Sequence, residues 1–158
     1  MEVLEFEAFL AEHYERVRRA LALTLGETGR AEDLAQEAFA RAWLRWSAVS
    51  AMERPVAWVY VVAVNQARRD LRRELRPATL SVPPRPADMA GAVATSISLQ
   101  VALTSLPARQ RAAVVLRYLA DLSIAEVAQA MRCAEGTVKS TLHAALAHLR
   151  IEMEEDEQ

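Results

Sequence analysis

Cysteine is almost missing from this chain of 158 residues: Cys133 stands alone. A single thiol excludes an internal disulfide framework and a thiolate zinc site within one chain. Glycine is nearly as scarce, with four, and no phosphate-cradling glycine loop occurs. Of the three histidines, His143 and His148 lie five apart and do not share a helical face. No metal site and no cofactor is therefore expected. No nucleophile–base motif is present, which argues against an enzyme. The chain does not open with a basic segment and an apolar run, and no apolar stretch reaches membrane-spanning length. No membrane insertion and a cytoplasmic location are expected. Excess positive charge is also lacking, since the formal net charge is −2. That excludes a bulk-charge grip on a polyanion.

What is there favours helix. Hydrophobic residues make up 53% and charged residues 25%, enough for a buried core, and Ala, Leu, Val and Arg dominate. The charge is unevenly placed. Residues 1–64 hold seven arginines against ten acids, whereas 65–76 ("NQARRDLRRELR") hold five arginines against two. Residues 99–151 hold six basic residues against three acids, and the end of the chain adds five acids. Two local basic faces suit contact with a polyanion at two places, with an acidic face left for another partner.

Four of the six prolines fall in residues 77–96, "PATLSVPPRPADMAGAVATS". Such a stretch cannot continue a helix and is poor in core-forming side chains. It divides an all-α chain into two small helical domains, 1–76 and 97–151, joined by this Pro-rich linker and followed by an acidic tail, 152–158. In the first domain, Phe6, Phe9, Leu10, Tyr14, Val17, Leu21 and Leu25 recur at helical spacing. A second helix is expected from about Ala31 to Trp46, with Leu34, Phe39, Trp43 and Trp46 on its buried stripe. "SAVSAMER" reads as a loop, and Pro55 opens a third helix to about Leu75. Its inner residues are Val59, Val62 or Ala63, Ala67 and Leu71.

In the second domain, helices are expected over Ser98–Ser105 and from Pro107 to Leu119. Ser123 and Glu126 form a capping box before a helix with Ile124, Val127, Ala128 and Met131 inward. The last helix turns Val138, Leu142, Leu146 and Leu149 inward. "EVAQAMRCAEGTVKSTL" is then a helix, a short turn and a helix. In a helix-turn-helix the first helix braces the second so that its N-terminal half can enter the major groove. Packing of Ile124, Val127 and Met131 on Val138 and Leu142 would leave Thr137, Lys139, Ser140, Thr141 and His143 outside. Those are short polar readers and one cation for phosphate or guanine. A helical hairpin with no DNA role has the same spacing.

The residues carry a resemblance. "LPARQRAAVVLRYLADLSIAEVAQAMRCAEGTVKSTLHAALAHLR" resembles the bacterial sigma-factor domain that reads the −35 promoter element. "RAEDLAQEAFARAW" resembles the sigma segment that docks on core RNA polymerase, and "PVAWVYVVAVNQARRDLRR" the segment that melts and reads the −10 element. Two such domains joined by a linker resemble the extracytoplasmic function (ECF) group of sigma factors. The resemblance implies transcription initiation at a restricted set of promoters, with core RNA polymerase and promoter DNA as partners and in many members an anti-sigma factor. It implies that Asp33, Gln36 and Glu37, which share a face at i, i+3, i+4, dock on the polymerase. It further implies −10 contacts by Trp58, Tyr60, Asn65, Arg68, Arg69, Arg72 and Arg73, and −35 contacts by Thr137, Lys139, Ser140, Thr141 and His143.

The chain also departs from the family's pattern. Val61 stands where an arginine is common, Thr141 and Ala144 replace residues of a basic run, and Ala134 replaces a serine cap. Arg30 replaces a capping aspartate. Two further readings stay open: a stand-alone helix-turn-helix regulator, which predicts dimers on palindromic sites, and a degenerate sigma relative that serves as a protein-interaction module.

Overall fold

Scarce glycine and abundant Ala, Leu and Arg produce helix and no strand among the described residues, 1–25, 28–74 and 94–156, of this computed structural model. The first half comprises α1 (Glu2–Leu25), α2 (Thr28–Leu44), a single turn α3 (Trp46–Val49) and α4 (Pro55–Glu74). α1 lies along α2, and α4 packs on both. Val17 and Leu21 of α1 meet a core that includes Leu34, Phe39, Val59 and Ala63. An aromatic cluster closes one end: the Trp46 ring lies 5.2 Å from Phe6, edge-on, and 5.1 Å from Phe9. Such pairs add stability beyond the area they bury.

The second half comprises α5 (Ala94–Ser105), α6 (Ala108–Val114), α7 (Ile124–Met131) and α8 (Glu135–Asp156). α6 runs on into one turn of π-helix, Val115–Leu119, where the Ala120 amide donates to the Val115 carbonyl at 2.9 Å. The capping box at α7 is formed: the Glu126 amide donates to Ser123 Oγ at 3.1 Å, and the Ser123 amide to Glu126 Oε1 at 2.9 Å. α7 ends at Arg132, which takes left-handed backbone (φ 52°) and turns the chain into α8. Val127, Ala128 and Met131 then pack with Val138 and Leu142, as the hydrophobic spacing required.

Several expectations are corrected. The loop expected over 47–54 begins with α3, because Trp46 and Val49 are both buried and hold a helical turn. Trp43 is not core but 40% exposed, and Trp46 takes the buried place. On α8, Leu146 is 41% exposed while Ala145 is fully buried, since the small residue permits close approach of the facing helix. Between Val62 and Ala63 on α4, Ala63 is the buried one. α5 begins at Ala94, inside the expected linker, and α8 runs through Asp156, into the expected tail. Residues 77–93 of that linker, Leu75, Arg76 and Gly26 lie outside the described residues.

The two halves touch. α4 packs on α7, and α1 on the π-helical turn. Buried side chains of both halves join one apolar cluster.

Ala134 occupies the N-cap of α8, with its carbonyl accepting from the Val138 amide at 3.1 Å, and it has no side-chain acceptor to offer. Ala134→Ser should raise unfolding free energy by about 1 kcal/mol, whereas Ser123→Ala should lower it by a similar amount. Urea titration of both variants checks the pair.

Candidate nucleic-acid and partner interfaces

On α2, Leu34, Ala35, Ala38 and Phe39 turn into the core. The 3.6-residue period therefore turns Asp33, Gln36 and Glu37 outward, and all three are exposed on one face. Glu37 is paired along the helix with Arg41, whose Nη2 lies 2.7 Å from its Oε1. Beside that face, α1 and α2 leave an open groove of about 820 Å³. Its floor is Phe6, Leu10, Tyr14, Phe39 and Trp43, and Gln36 stands at its edge. Glu7, Glu15 and Glu32 add negative charge around it. Arg18 donates to Glu15, and this hydrogen bond holds the Glu15 carboxyl below the ordinary carboxylate range. The surface is apolar within and acidic around, complementary to an amphipathic basic partner. Sequence reasoning found its acidic part. It missed the apolar part because Trp43 shares a stripe with core residues.

On α4 the expected DNA residues divide. Arg69 and Arg73 are exposed, and Trp58 is half-buried against the core. Arg68 is half-buried and donates through Nη2 to the Ala130 carbonyl of α7 at 3.3 Å. Asn65 lies one turn earlier, its Oδ1 buried with no hydrogen-bond partner among the described groups. The Arg72 side chain is outside what is described. Tyr60 is a correction: it is 1% exposed, inside the bundle, and presents no ring for stacking. Position 60 falls beside Val59 and Ala63 on the buried arc, which outweighs its aromatic character. Asp70 meets Arg30 of α2 at 3.9 Å and accepts from Gln66 at 2.9 Å.

On α8, Thr137, Lys139, Ser140 and His143 are exposed and Thr141 is half-exposed. They form the outward surface opposite Val138, Leu142 and Ala145. Ser140 and Thr141 both donate their hydroxyls to the Thr137 carbonyl, at 3.0 and 2.7 Å. With those protons engaged, the two hydroxyl oxygens keep only acceptor capacity, which suits the amino groups of adenine or cytosine. No cluster of metal-ligating side chains occurs among the described residues, and none of their helices is long and apolar enough to cross a membrane.

Known proteins share this arrangement. Residues 9–76 match the family described as Sigma-70 region 2, and residues 96–149 match Sigma-70, region 4. The chain therefore belongs to the sigma-70 family of RNA polymerase sigma factors, in its ECF group. The RNA polymerase sigma-E factor of Streptomyces coelicolor is 36% identical over 155 residues, covering 96% of this chain and 88% of that one. ECF RNA polymerase sigma factor SigL of Mycobacterium tuberculosis is 35% identical over 147 residues, 87% of this chain and 82% of the relative. Among solved structures, the sigma factor RpoE in complex with the anti-sigma factor NepR from Bartonella quintana is similar in fold. Its TM-score is 0.74 at 24% identity, over 95% of this chain and 97% of that one. CnrH in complex with the cytosolic domain of CnrY gives 0.63 at 20% identity, over 96% and 88%. As a sigma factor the chain is a transcription initiation factor, whose partners are core RNA polymerase and promoter DNA.

Burial pushes the Tyr60 phenol up to about 12, with Arg16 opposing weakly. An unfolded tyrosine ionises near pH 10. Tyr60 therefore stabilises the fold fully below pH 10, and that contribution is lost as pH rises toward 12. Tyr60→Phe should flatten the fall of stability over this window in denaturant titrations at several alkaline pH values.

Proposed function

We propose that three separate surfaces carry the sigma activity. Asp33, Gln36 and Glu37, with the neighbouring groove, dock on core RNA polymerase. Trp58, Asn65, Arg68, Arg69, Arg72 and Arg73 meet the opened −10 strand, the amide reading a base edge and the arginines fixing the backbone. Thr137, Lys139, Ser140, Thr141 and His143 meet the −35 duplex in the major groove. The observation that carries this reading is the separation of surfaces. An acidic docking face on α2 and a polar reading face on α8 are both exposed, and neither repeats the other's chemistry.

Division of labour explains the modest charge. A protein that grips DNA alone needs many phosphate contacts; a sigma factor lends sequence choice to an enzyme that supplies most of the hold. On this reading the chain works in the cytoplasm, catalyses no reaction itself and serves a restricted set of promoters. Promoter choice then lies in the α8 surface and in Asn65. An anti-sigma partner fits the same surfaces: RpoE was solved with the anti-sigma factor NepR, and a protein seated in the acidic groove would block polymerase docking.

Run-off transcription with purified core polymerase tests the reading. A promoter-dependent product is expected with the wild-type chain, and none with Asp33→Arg or Gln36→Ala. Failure of the wild-type chain to bind core polymerase would leave the stand-alone regulator or the interaction module. Lys139→Ala should weaken promoter binding about uniformly across sequences and reduce its salt dependence by about one phosphate contact, measured by mobility shift of the holoenzyme.

A further inference from the structure

The chain holds eighteen arginines and a single lysine, and no arginine falls between Arg132 and Arg150. The lysine is Lys139, on α8. Thr137, Ser140, Thr141 and Ala144 recur there at i, i+3, i+4 and i+7, which places them on one stripe. Thr137, Ser140 and Ala144 are exposed and Thr141 is half-exposed. The stripe offers hydroxyls and methyl groups and no charge. Lys139 and His143 lie off it, to one side, where a cation meets a phosphate.

The hydroxyl protons decide what the stripe can read. Ser140 and Thr141 both spend theirs on the Thr137 carbonyl, at 3.0 and 2.7 Å. A hydroxyl has one proton and two lone pairs, so each side chain has only an acceptor left for a base. In the major groove adenine and cytosine present an amino donor where guanine and thymine present a carbonyl oxygen. An acceptor set against that oxygen leaves two lone pairs facing each other with no proton between them. To donate to guanine, either hydroxyl must release the Thr137 carbonyl. Bidentate reading of guanine takes an arginine or a lysine, and the stripe has neither. The methyl groups of Thr141 and Ala144 tilt the choice further, because they suit the 5-methyl of thymine, the partner of adenine.

We propose that Ser140 and Thr141 set the −35 choice of this chain by accepting hydrogen bonds from the 6-amino group of adenine. The element it selects then carries an A·T pair at each of the two positions they face, with guanine rejected there. The proposal deepens the assignment of α8 to the −35 duplex and rests on it. Lys139 contributes hold to this contact and not choice, and the sequence information lies in two uncharged side chains.

Holoenzyme assembled from purified core polymerase tests this on promoter fragments randomised across the −35 element. The wild type should enrich adenine over guanine at two positions. Ser140→Ala should lose the preference at one of them and Thr141→Val at the other. Each substitution removes one oxygen from the stripe and leaves the buried Val138, Leu142 and Ala145 unchanged. On the selected promoter, the adenine at either position is then replaced by purine deoxyriboside, which lacks only the 6-amino group. Wild-type binding should weaken about fivefold in competition mobility shifts, as for one lost hydrogen bond. The variant missing the facing hydroxyl should show no such loss, and weakened base pairing cancels because both proteins meet the same DNA. The same replacement at adenines elsewhere in the promoter gives a reference that needs no variant. Guanine enriched at both positions overturns the proposal, as does an equal loss with the wild type and the variant. A wild-type holoenzyme that initiates but shows no preference anywhere in the −35 element would remove the assignment of α8, and the proposal with it.

Discussion

Unsatisfied carbonyls at helix ends organise the contact between the two halves of this protein. A chain built almost wholly from helices has many such ends, and burying one without a donor costs free energy. Here Thr24 of α1, Leu119 and Asp121 at and just beyond the π-helical turn, and Ala130 of α7 present such carbonyls, and Arg111, Arg16, Arg54 and Arg68 of the opposite half supply the donors. Arg111 shows how far this goes: it is 9% exposed, and burial pushes its guanidinium below the ordinary arginine range. It remains charged and donates to the Thr24 carbonyl. The π-helical turn belongs to the same arrangement, because it redirects the chain so that the Leu119 and Asp121 carbonyls face α1 and Arg54.

The same geometry places α4 at the centre of the molecule's chemistry. One side of this helix, with Val59, Tyr60 and Ala63, completes the first bundle. The other, with Val61, Asn65 and Arg68, lies toward α7. Its C-terminal turns carry exposed arginines. A helix with three obligations leaves few positions free to vary. Tyr60 is one that the bundle claims, and its buried phenol is better explained by packing than by DNA contact. The α2 face is simpler: its inward residues are small or apolar, its outward ones polar, and an aromatic groove lies beside it.

Much of this was legible in the residues. Pro55 marked the start of α4, Ser123 and Glu126 announced the cap of α7, and the spacing of Val127, Met131, Val138 and Leu142 foretold the helix-turn-helix. These signals are local, acting within one or two turns. Where the reading failed, the deciding neighbour was distant in sequence. Trp43 and Trp46 fit one stripe equally well and both rings meet Phe6 of α1, but Trp46 also meets Phe9 and is the one buried. Leu146 lost its place to Ala145 because close helix approach favours the smaller residue. The arginine contacts between halves carry no sequence signature, since an arginine that reaches a carbonyl looks like any surface arginine.

The central claim is that one chain offers a polymerase-docking face on α2 and a DNA-reading face on α8 at the same time. Site-specific photo-crosslinking in a complex with core polymerase and a fragmented promoter library tests it most directly, with the reactive group at Gln36 in one preparation and at Ser140 in another. Gln36 is expected to capture a polymerase subunit and no DNA, and Ser140 to capture duplex DNA. Capture of DNA from Gln36, or of a second copy of this chain from both positions, would contradict the account.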